Sequence, residues 1–509
     1  MRSRVVVASA ATAAALLRFP GLFWPVRPDE AGFILVARSW DPQPTSMFGP
    51  YFVDRPPPLI ALIGLLDQLG GVAALRAAGA VACVVLVVAA AGCARVIAGD
   101  RAAAWTAVAT AAVVSNTAID AVAVKGELLG LPLVMGSCWL ALLAARTDAD
   151  EPPLRRALLQ AGAAGFLATA ALGMKQNLVG GLVFGAVLLV ASAALGPREG
   201  RLPWPRVLRL GAAATAGALV PLLATVGWAL AAGVGLSTLW YDVYGFRSDA
   251  FAVITEYSSE ANDIRLLELL SYALAAGVVL LIGGFVVHAR DEWRDRPALT
   301  TAIAAMIAVD LVAMFLGGSF WRAYLFTLVP GTALAAAMLV RRGRTSKRGL
   351  AMRAVIVASV VSCVVASAAW VVVNVLGPDR AQEARTGEAL AAVAEPQDTL
   401  VVFGGRADIQ LLSGMDSPYR HLWSLPMRTL DPDYAELRSV IDSPEAPTWI
   451  VEQAWFGSWG NPAAPALYAD VDARYTEVTA VCGDGARVWL LDGVERGTPD
   501  IPCDPTADR

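Results

Sequence analysis

Ten charged or polar side chains stand at the ends of apolar runs: Asp29, Glu30, Asp54, Arg55, Asp120, Lys125, Glu127, Lys175, Gln176 and Arg322. Carboxylates in such a group can take a proton or hold hydroxyls, and cations can hold a phosphate. Taken singly, each reads equally well as a solvated or snorkelling residue at a membrane boundary. Charges at membrane depth are costly unless they line a wet cavity, so a group of them marks a functional site more often than soluble charges do. The chain has three lysines, Lys125, Lys175 and Lys347, and the first two both fall beside tight turns at the ends of apolar runs.

The elements that must position these residues are membrane helices. The 509 residues are 57% hydrophobic and 17% charged, which disfavours a soluble multidomain enzyme. A net charge of -4 gives no reason to expect a nucleic-acid partner. About eleven apolar runs are long enough to cross a bilayer as helices: Val5–Trp24, Val72–Ala98, Ala102–Ala118, Leu128–Ala145, Ala157–Leu172, Leu178–Leu195, Leu210–Ala232, Leu266–Val287, Ala298–Leu316, Ala323–Val340 and Ala354–Leu376. The first is expected to be a retained span rather than a signal peptide, since no small-residue cleavage site follows it. If the spans alternate, the basic loops around Arg155, Arg201, Arg294 and Arg341–Arg348 share one side, which the positive-inside rule makes cytoplasmic. The N-terminus is then cytoplasmic. The loop of residues 25–58 and the turns near Asp120, Lys175, Gly233–Arg265 and Arg322 lie outside. Within that loop, Glu30–Trp40 has one apolar helical face, and Pro56 and Pro57 suit the first turn of a helix continued by Leu59–Leu69.

Residues 1–376 are thus expected to form a transmembrane domain, and residues 377–509 an extracytoplasmic domain of small α/β type. In the tail, Thr399–Phe403, Thr448–Val451, Tyr475–Val481 and Arg487–Leu491 read as strands, the last two as a hairpin, and Ala407–Leu412 as a short helix. Cys482 and Cys503 are the two cysteines of this tail and are expected to form a disulfide, as an oxidising compartment permits. Cys83, Cys93, Cys138 and Cys363 read as buried thiols. With two histidines and no Cys-x-x-Cys pair, no metal site is assigned.

Several segments together resemble the GT-C glycosyltransferases, above all family 39, the protein O-mannosyltransferases and the aminoarabinose transferase of lipid A. They are Pro28-Asp29-Glu30, Asp54-Arg55-Pro56-Pro57, Lys125-Gly126-Glu127, Gly173-Met174-Lys175 and Gly317-Gly318-Ser319-Phe320-Trp321-Arg322-Ala323-Tyr324 followed by Pro330. The likeness runs in order from Val5 to about Pro330. It departs at Ala323, where a His is common, at Ser319, where an Arg is common, and at Arg55, which replaces a Lys with a different donor geometry. The resemblance implies a polyprenyl-phosphate-linked sugar as donor and a glycan, lipid or protein of the envelope as acceptor. It also implies a bacterial cell membrane and a reaction at its outer face. On that basis Asp29 is the candidate catalytic base, with Glu30 as runner-up or acceptor-orienting group. Arg55, Lys175 and Arg322 are candidates for the donor phosphate. Asp54, Asp120, Lys125, Glu127 and Tyr324 are candidates for substrate binding. Clustered carboxylates can bind a divalent cation, but the resemblance requires no cofactor.

Two other classes stay open. A flippase or transporter of lipid-linked sugars would show broken helices and charges near mid-membrane. Here Asp310 is the deep charge, and it reads more readily as a hydrogen-bond acceptor between helices. An inactive relative that binds glycan or a partner is the third class.

Overall fold

The computed structural model describes residues 2–146, 152–195, 201–256, 260–341, 347–376, 382–480 and 487–501. Cys482 and Cys503 lie outside the described residues, and with them the expected disulfide.

The chain is a polytopic helical membrane protein with a small mixed sheet after the bundle. Among the described residues, eight helices are long and apolar enough to cross a bilayer, from Arg2–Phe23 to Lys347–Asn374. The eleven runs expected from the sequence each coincide with helix. The 58-residue helix Pro57–Val114 carries two of them, because its backbone breaks at Gly70-Gly71 and again at Ala98-Gly99. Gly71 at φ 61° and Gly99 at φ 79° take the left-handed conformation that a side chain disfavours, so the apolar run turns there. Gly180–Ala194 is a shorter apolar helix. Leu266–Val287, expected as one span, is a bent pair: Asn262–Ala275 and Val278–Asp295 meet at 72°. The stretch expected as an outer turn between Gly233 and Arg265 is also helical, over Leu236–Trp240, Phe246–Glu256 and the start of Glu260–Ala275.

The loop of residues 25–58 opens with the helix Pro28–Arg38 and closes at Pro56, the N-cap of the next helix, whose first residue is Pro57. Proline is tolerated at a helix start because the first turn's N–H groups have no intrahelical acceptor. Phe33, Ile34 and Val36 turn inward and are buried with Met47, Phe48 and Val53 in the main core. The Pro28–Arg38 helix is thereby held to the bundle by its apolar face.

Beyond the bundle, β1 (Leu400–Phe403), β2 (Trp449–Glu452), β3 (Tyr475–Ala480) and β4 (Arg487–Leu491) form one sheet in the order β1-β2-β4-β3. β1 and β2 are parallel, and β4 pairs antiparallel with both β2 and β3. The expected strands and the Ala407–Ser413 helix are all present. Four further helices, Gln382–Val393, Ser424–Leu430, Ala435–Asp442 and Ala464–Asp472, were not evident in the sequence. All four residues of β1 and of β2 are buried, as expected for parallel strands covered on both faces.

This region rests on the loop of residues 25–58. The Phe52 N–H donates to the Arg420 carbonyl at 3.0 Å, and the Ser417 N–H donates to the Tyr51 hydroxyl at 2.9 Å. Loop and tail therefore occupy the same face of the bundle.

Candidate active site

Asp29 and Glu30 are neighbours in the first turn of the Pro28–Arg38 helix, yet they have opposite surroundings. Successive helical residues lie about 100° apart around the axis, so adjacent acids cannot share a face. Glu30 points inward and is fully buried. Its Oε2 accepts from Arg76 Nη2 at 2.7 Å and from the Arg27 N–H at 3.1 Å, and its Oε1 from Arg76 Nε at 3.2 Å and the Val124 N–H at 2.9 Å. With four donors, the carboxylate closes a capping box and has little capacity left for an acceptor. Arg76 in turn donates to the carbonyls of Gly21, Trp24 and Pro25. Glu30 is thus the joint between the loop, the end of the first span and the segment at Val124.

Asp29 points the other way. Lys125 Nζ lies 3.1 Å from its Oδ2, and Trp423 Nε1 donates to its Oδ1 at 3.1 Å. Burial would raise this carboxyl, but the charges of Lys125 and Arg55 and the hydrogen bonds from Lys125 and Trp423 outweigh it and hold the group at about 2. Asp29 is therefore ionised at any physiological pH. Lys125 is 3.0 Å from Asp120 as well, and although burial alone would lower the Lys125 ammonium, its acidic neighbours raise it above the usual lysine value. Asp120 reaches this position from a left-handed turn at φ 65°.

Arg55 is the hinge of the cluster. Its Nη1 donates to the Asp54 carboxylate at 2.7 Å, and its guanidinium lies 5.6 Å from the centre of the Phe33 ring. Asp54 also pairs with Arg247, and its carbonyl accepts from Gln176 Nε2 at 3.0 Å. Lys175 pairs with Glu127, and its ammonium lies 4.9 Å from the centre of the Tyr324 ring. Nearby, burial pushes the Asp242 carboxyl up to about 7 despite the Met47 N–H and Arg420. Asp29, Asp54, Arg55, Asp120, Lys125, Glu127, Lys175 and Tyr324 thus form one chain of contacts and charge interactions drawn from five separate segments. Among the described residues, no three His, Cys, Asp or Glu side chains cluster as metal ligands.

Arg322 has different company. Its guanidinium pairs with Glu268 at 3.4 Å and stacks 4.2 Å from the centre of the Tyr272 ring, with its side chain 44% exposed. It lies with the Glu260–Ala275 helix rather than in the contacts that join Arg55 and Lys175. The cation that does join them is Arg247, which pairs with Asp54 and has no motif around it in the sequence.

Trp423 was also not singled out by the sequence. It comes from the tail and donates its indole N–H to Asp29, while its ring lies 5.6 Å from that of Phe33. The ring packs over Gly32 so closely that a Cβ at that position would collide with it. The helix carrying Asp29 thus needs glycine at this point to admit the indole. Trp423→Phe keeps most of the ring contact and removes one hydrogen bond to a charged group, worth about 1.5–3 kcal/mol. We expect turnover to fall at least about tenfold, with little change in the amount of folded protein. Steady-state kinetics beside a size-exclusion profile checks this, and unchanged turnover would remove Trp423 from the site.

No protein-family model matches the chain, and no curated protein matches it by sequence. Solved structures do match. ArnT from Cupriavidus metallidurans in the apo state superposes with a TM-score of 0.65 at 14% identity, over 96% of this chain and 98% of that one. The same protein bound to undecaprenyl phosphate gives a TM-score of 0.61 at 15% identity, over 95% and 97%. The Archaeoglobus fulgidus oligosaccharyltransferase in its apo form gives 0.51 at 14% identity, over 98% of this chain and 75% of that one. At these identities the likeness is one of fold.

Proposed function

We propose that this chain, which has the GT-C fold, is a membrane glycosyltransferase that takes a sugar from a polyprenyl-phosphate carrier and gives it to an envelope acceptor. The observation that carries this reading is the convergence of an ionised Asp29 with Lys125, Arg55, Lys175 and Arg247 at one face of the bundle. The undecaprenyl phosphate bound by the similar ArnT supports a carrier of this class. In the reaction, the bond between the anomeric carbon and the carrier phosphate oxygen breaks as an acceptor oxygen bonds to that carbon. The acceptor proton passes to Asp29, and the bond electrons leave with the phosphate. Asp29 begins as a weak base, but the acceptor hydroxyl becomes strongly acidic only as its oxygen bonds to carbon. Arg55, Lys175 and Arg247 stabilise the departing phosphate. Lys125 orients Asp29, Asp120 orients Lys125, and Glu127 and Asp54 hold the cations in place. Tyr324 supports Lys175. Glu30 acts as a positioning residue through Arg76.

Envelope glycans and lipids from a deletion strain, compared with the wild type by mass spectrometry, test this reading. One sugar should be missing from one acceptor and return with the wild-type gene but not with Asp29→Asn. Identical spectra would remove the proposal. In purified protein, Arg55→Gln and Arg247→Gln should each lower kcat by about a hundredfold or more, as the loss of one donor to a developing anion commonly does. Arg322→Gln should stay within a few-fold of wild type. The opposite ranking would return the phosphate to Arg322.

The basic loops support an extracytoplasmic site, in the bacterial cell membrane implied by the family resemblance. Ser458 is exposed in the tail, so a Ser458→Cys variant should react with an impermeant maleimide in intact cells. Reaction only after permeabilisation would invert the orientation.

A further inference from the structure

The turn that carries Trp321 and Arg322 lies outside the donor cluster and has charges and aromatic rings of its own. The span before it, Pro297–Phe315, has 19 residues and is about 28 Å long at 1.5 Å per residue, so the turn after it stands at the level of lipid headgroups. Its backbone is strained: Gly318 lies at φ 66°, and Phe320, which has a side chain, at φ 52°. Such conformations persist where the surroundings hold them, and they cluster at functional sites. Here the turn leaves the Trp321 ring half exposed, and the Arg265 guanidinium lies 4.8 Å from its centre. Arg265 comes from the outer half of the bent pair, whose Ile264, Leu267 and Leu274 are at least half exposed, as lipid-facing residues of a span are. Its Nη2 donates to Asn262 and its Nε is enclosed. Its Nη1 makes no hydrogen bond among the described residues and is not enclosed. Glu268, one turn along the helix, pairs with Arg322 at 3.4 Å, and no carboxylate forms an ion pair with Arg265 among the described residues. Of the charges on Arg265, Glu268 and Arg322, one positive charge is therefore left over.

We infer that Arg265 and Trp321 form a second phosphate site, at the lipid-facing rim, for the phosphate of an outer-leaflet lipid. A guanidinium without a carboxylate is costly at membrane depth, and lipid phosphate is the anion found at this height. The indole holds the guanidinium by cation–π attraction and leaves its edge N–H groups for an anion. The exposed Ile264, Leu267 and Leu274 continue from the rim into the bilayer, so the lipid's chains need no groove of their own. Two kinds of lipid bring such a phosphate: bulk phospholipid and the polyprenyl carrier of the proposed reaction. Tyr324 joins the rim to the donor cluster, because it acts on the charge of Arg265 and its ring lies 4.9 Å from the Lys175 ammonium. The two sites stay separate, since Lys175 pairs with Glu127, and Arg55 and Arg247 pair with Asp54.

The test is native mass spectrometry of the full-length protein in neutral detergent, titrated with undecaprenyl phosphate, phosphatidylglycerol or undecaprenol. Wild type should hold one more phosphate-bearing lipid than Arg265→Gln, whose affinity at this site should fall by roughly tenfold or more, the worth of a hydrogen bond to a charged group. Trp321 is half exposed, so Trp321→Leu tests the same site even if Arg265→Gln folds poorly, and it should lose the same lipid. Undecaprenol, which has the chain without the phosphate, should not fill the site. If the additional lipid is undecaprenyl phosphate and phosphatidylglycerol does not displace it, the rim serves the carrier. If phosphatidylglycerol fills the site equally well, the rim serves bulk phospholipid. The same number of bound lipids in wild type, Arg265→Gln and Trp321→Leu would overturn the assignment, and so would undecaprenol that fills the site as undecaprenyl phosphate does.

Discussion

Asp29→Asn should lower turnover by about a hundred- to ten-thousand-fold, the usual cost of losing a general base. The substitution keeps the shape of the side chain, and Lys125 keeps Asp120 at 3.0 Å, so the protein should accumulate and fold as wild type does. The pH profile supplies a second reading. The wild-type carboxyl, held at about 2, stays ionised at every pH above the ordinary aspartate value of 3.8. Its contribution to rate, and the stability it gains from its cations, should therefore be constant from neutral pH down to that value and be lost only as pH falls toward 2. Single-turnover measurements of sugar transfer from a polyprenyl-phosphate donor check both points. Wild-type rates in Asp29→Asn would remove the proposed mechanism.

Glu30→Gln should fail in a different way. Breaking a buried ion pair by removing one partner costs about 3–5 kcal/mol, because the other charge is left buried. Here Arg76, 2% exposed, would lose its only carboxylate partner among the described residues, and the amide, with one acceptor oxygen in place of two, would leave either the Arg27 or the Val124 N–H without its acceptor. The expected result is a marked fall in the amount of monodisperse protein extracted from membranes, read by fluorescence-detected size exclusion. Glu30→Leu with Arg76→Met removes both charges and should recover part of that loss. Recovery would be partial because the carbonyls of Gly21, Trp24 and Pro25 also lose their donor. Normal accumulation of Glu30→Gln with turnover abolished would return Glu30 to the chemistry.

The contrast between these two acids marks what the sequence could and could not tell. Apolar runs, prolines at helix starts and the alternation of basic loops were enough for the helical bundle. The order and shared side of Asp29, Arg55, Lys125, Glu127 and Lys175 were enough to group most of the cluster. Choosing between Asp29 and Glu30 needed the helix phase relative to Arg76, which the sequence shows only as a single charge within an apolar span. Arg247 escaped notice because it sits in a short helix where a loop was expected, with no pattern around it. Arg322 was grouped by its side of the membrane and by the resemblance of the segment Gly317–Tyr324, and Glu268 and Tyr272 on the bent pair hold it elsewhere. Gly277, where that pair bends, carries φ 84°, but an isolated glycine in an apolar run gives no measure of angle. Trp423 was beyond reach for a simpler reason: it meets Asp29 across 394 positions of chain.

That separation sets a clock on the protein's own synthesis. The helix bearing Asp29 is made within the first tenth of the chain. The indole that completes the surroundings of Asp29 arrives only after every span has been made and about the first third of the tail has followed. A growing or truncated chain can hold the acid and the cations and still lack the last donor to the carboxylate. On the proposed reading, Asp29 gains its last hydrogen-bond donor only once the tail segment at Trp423 has come into place.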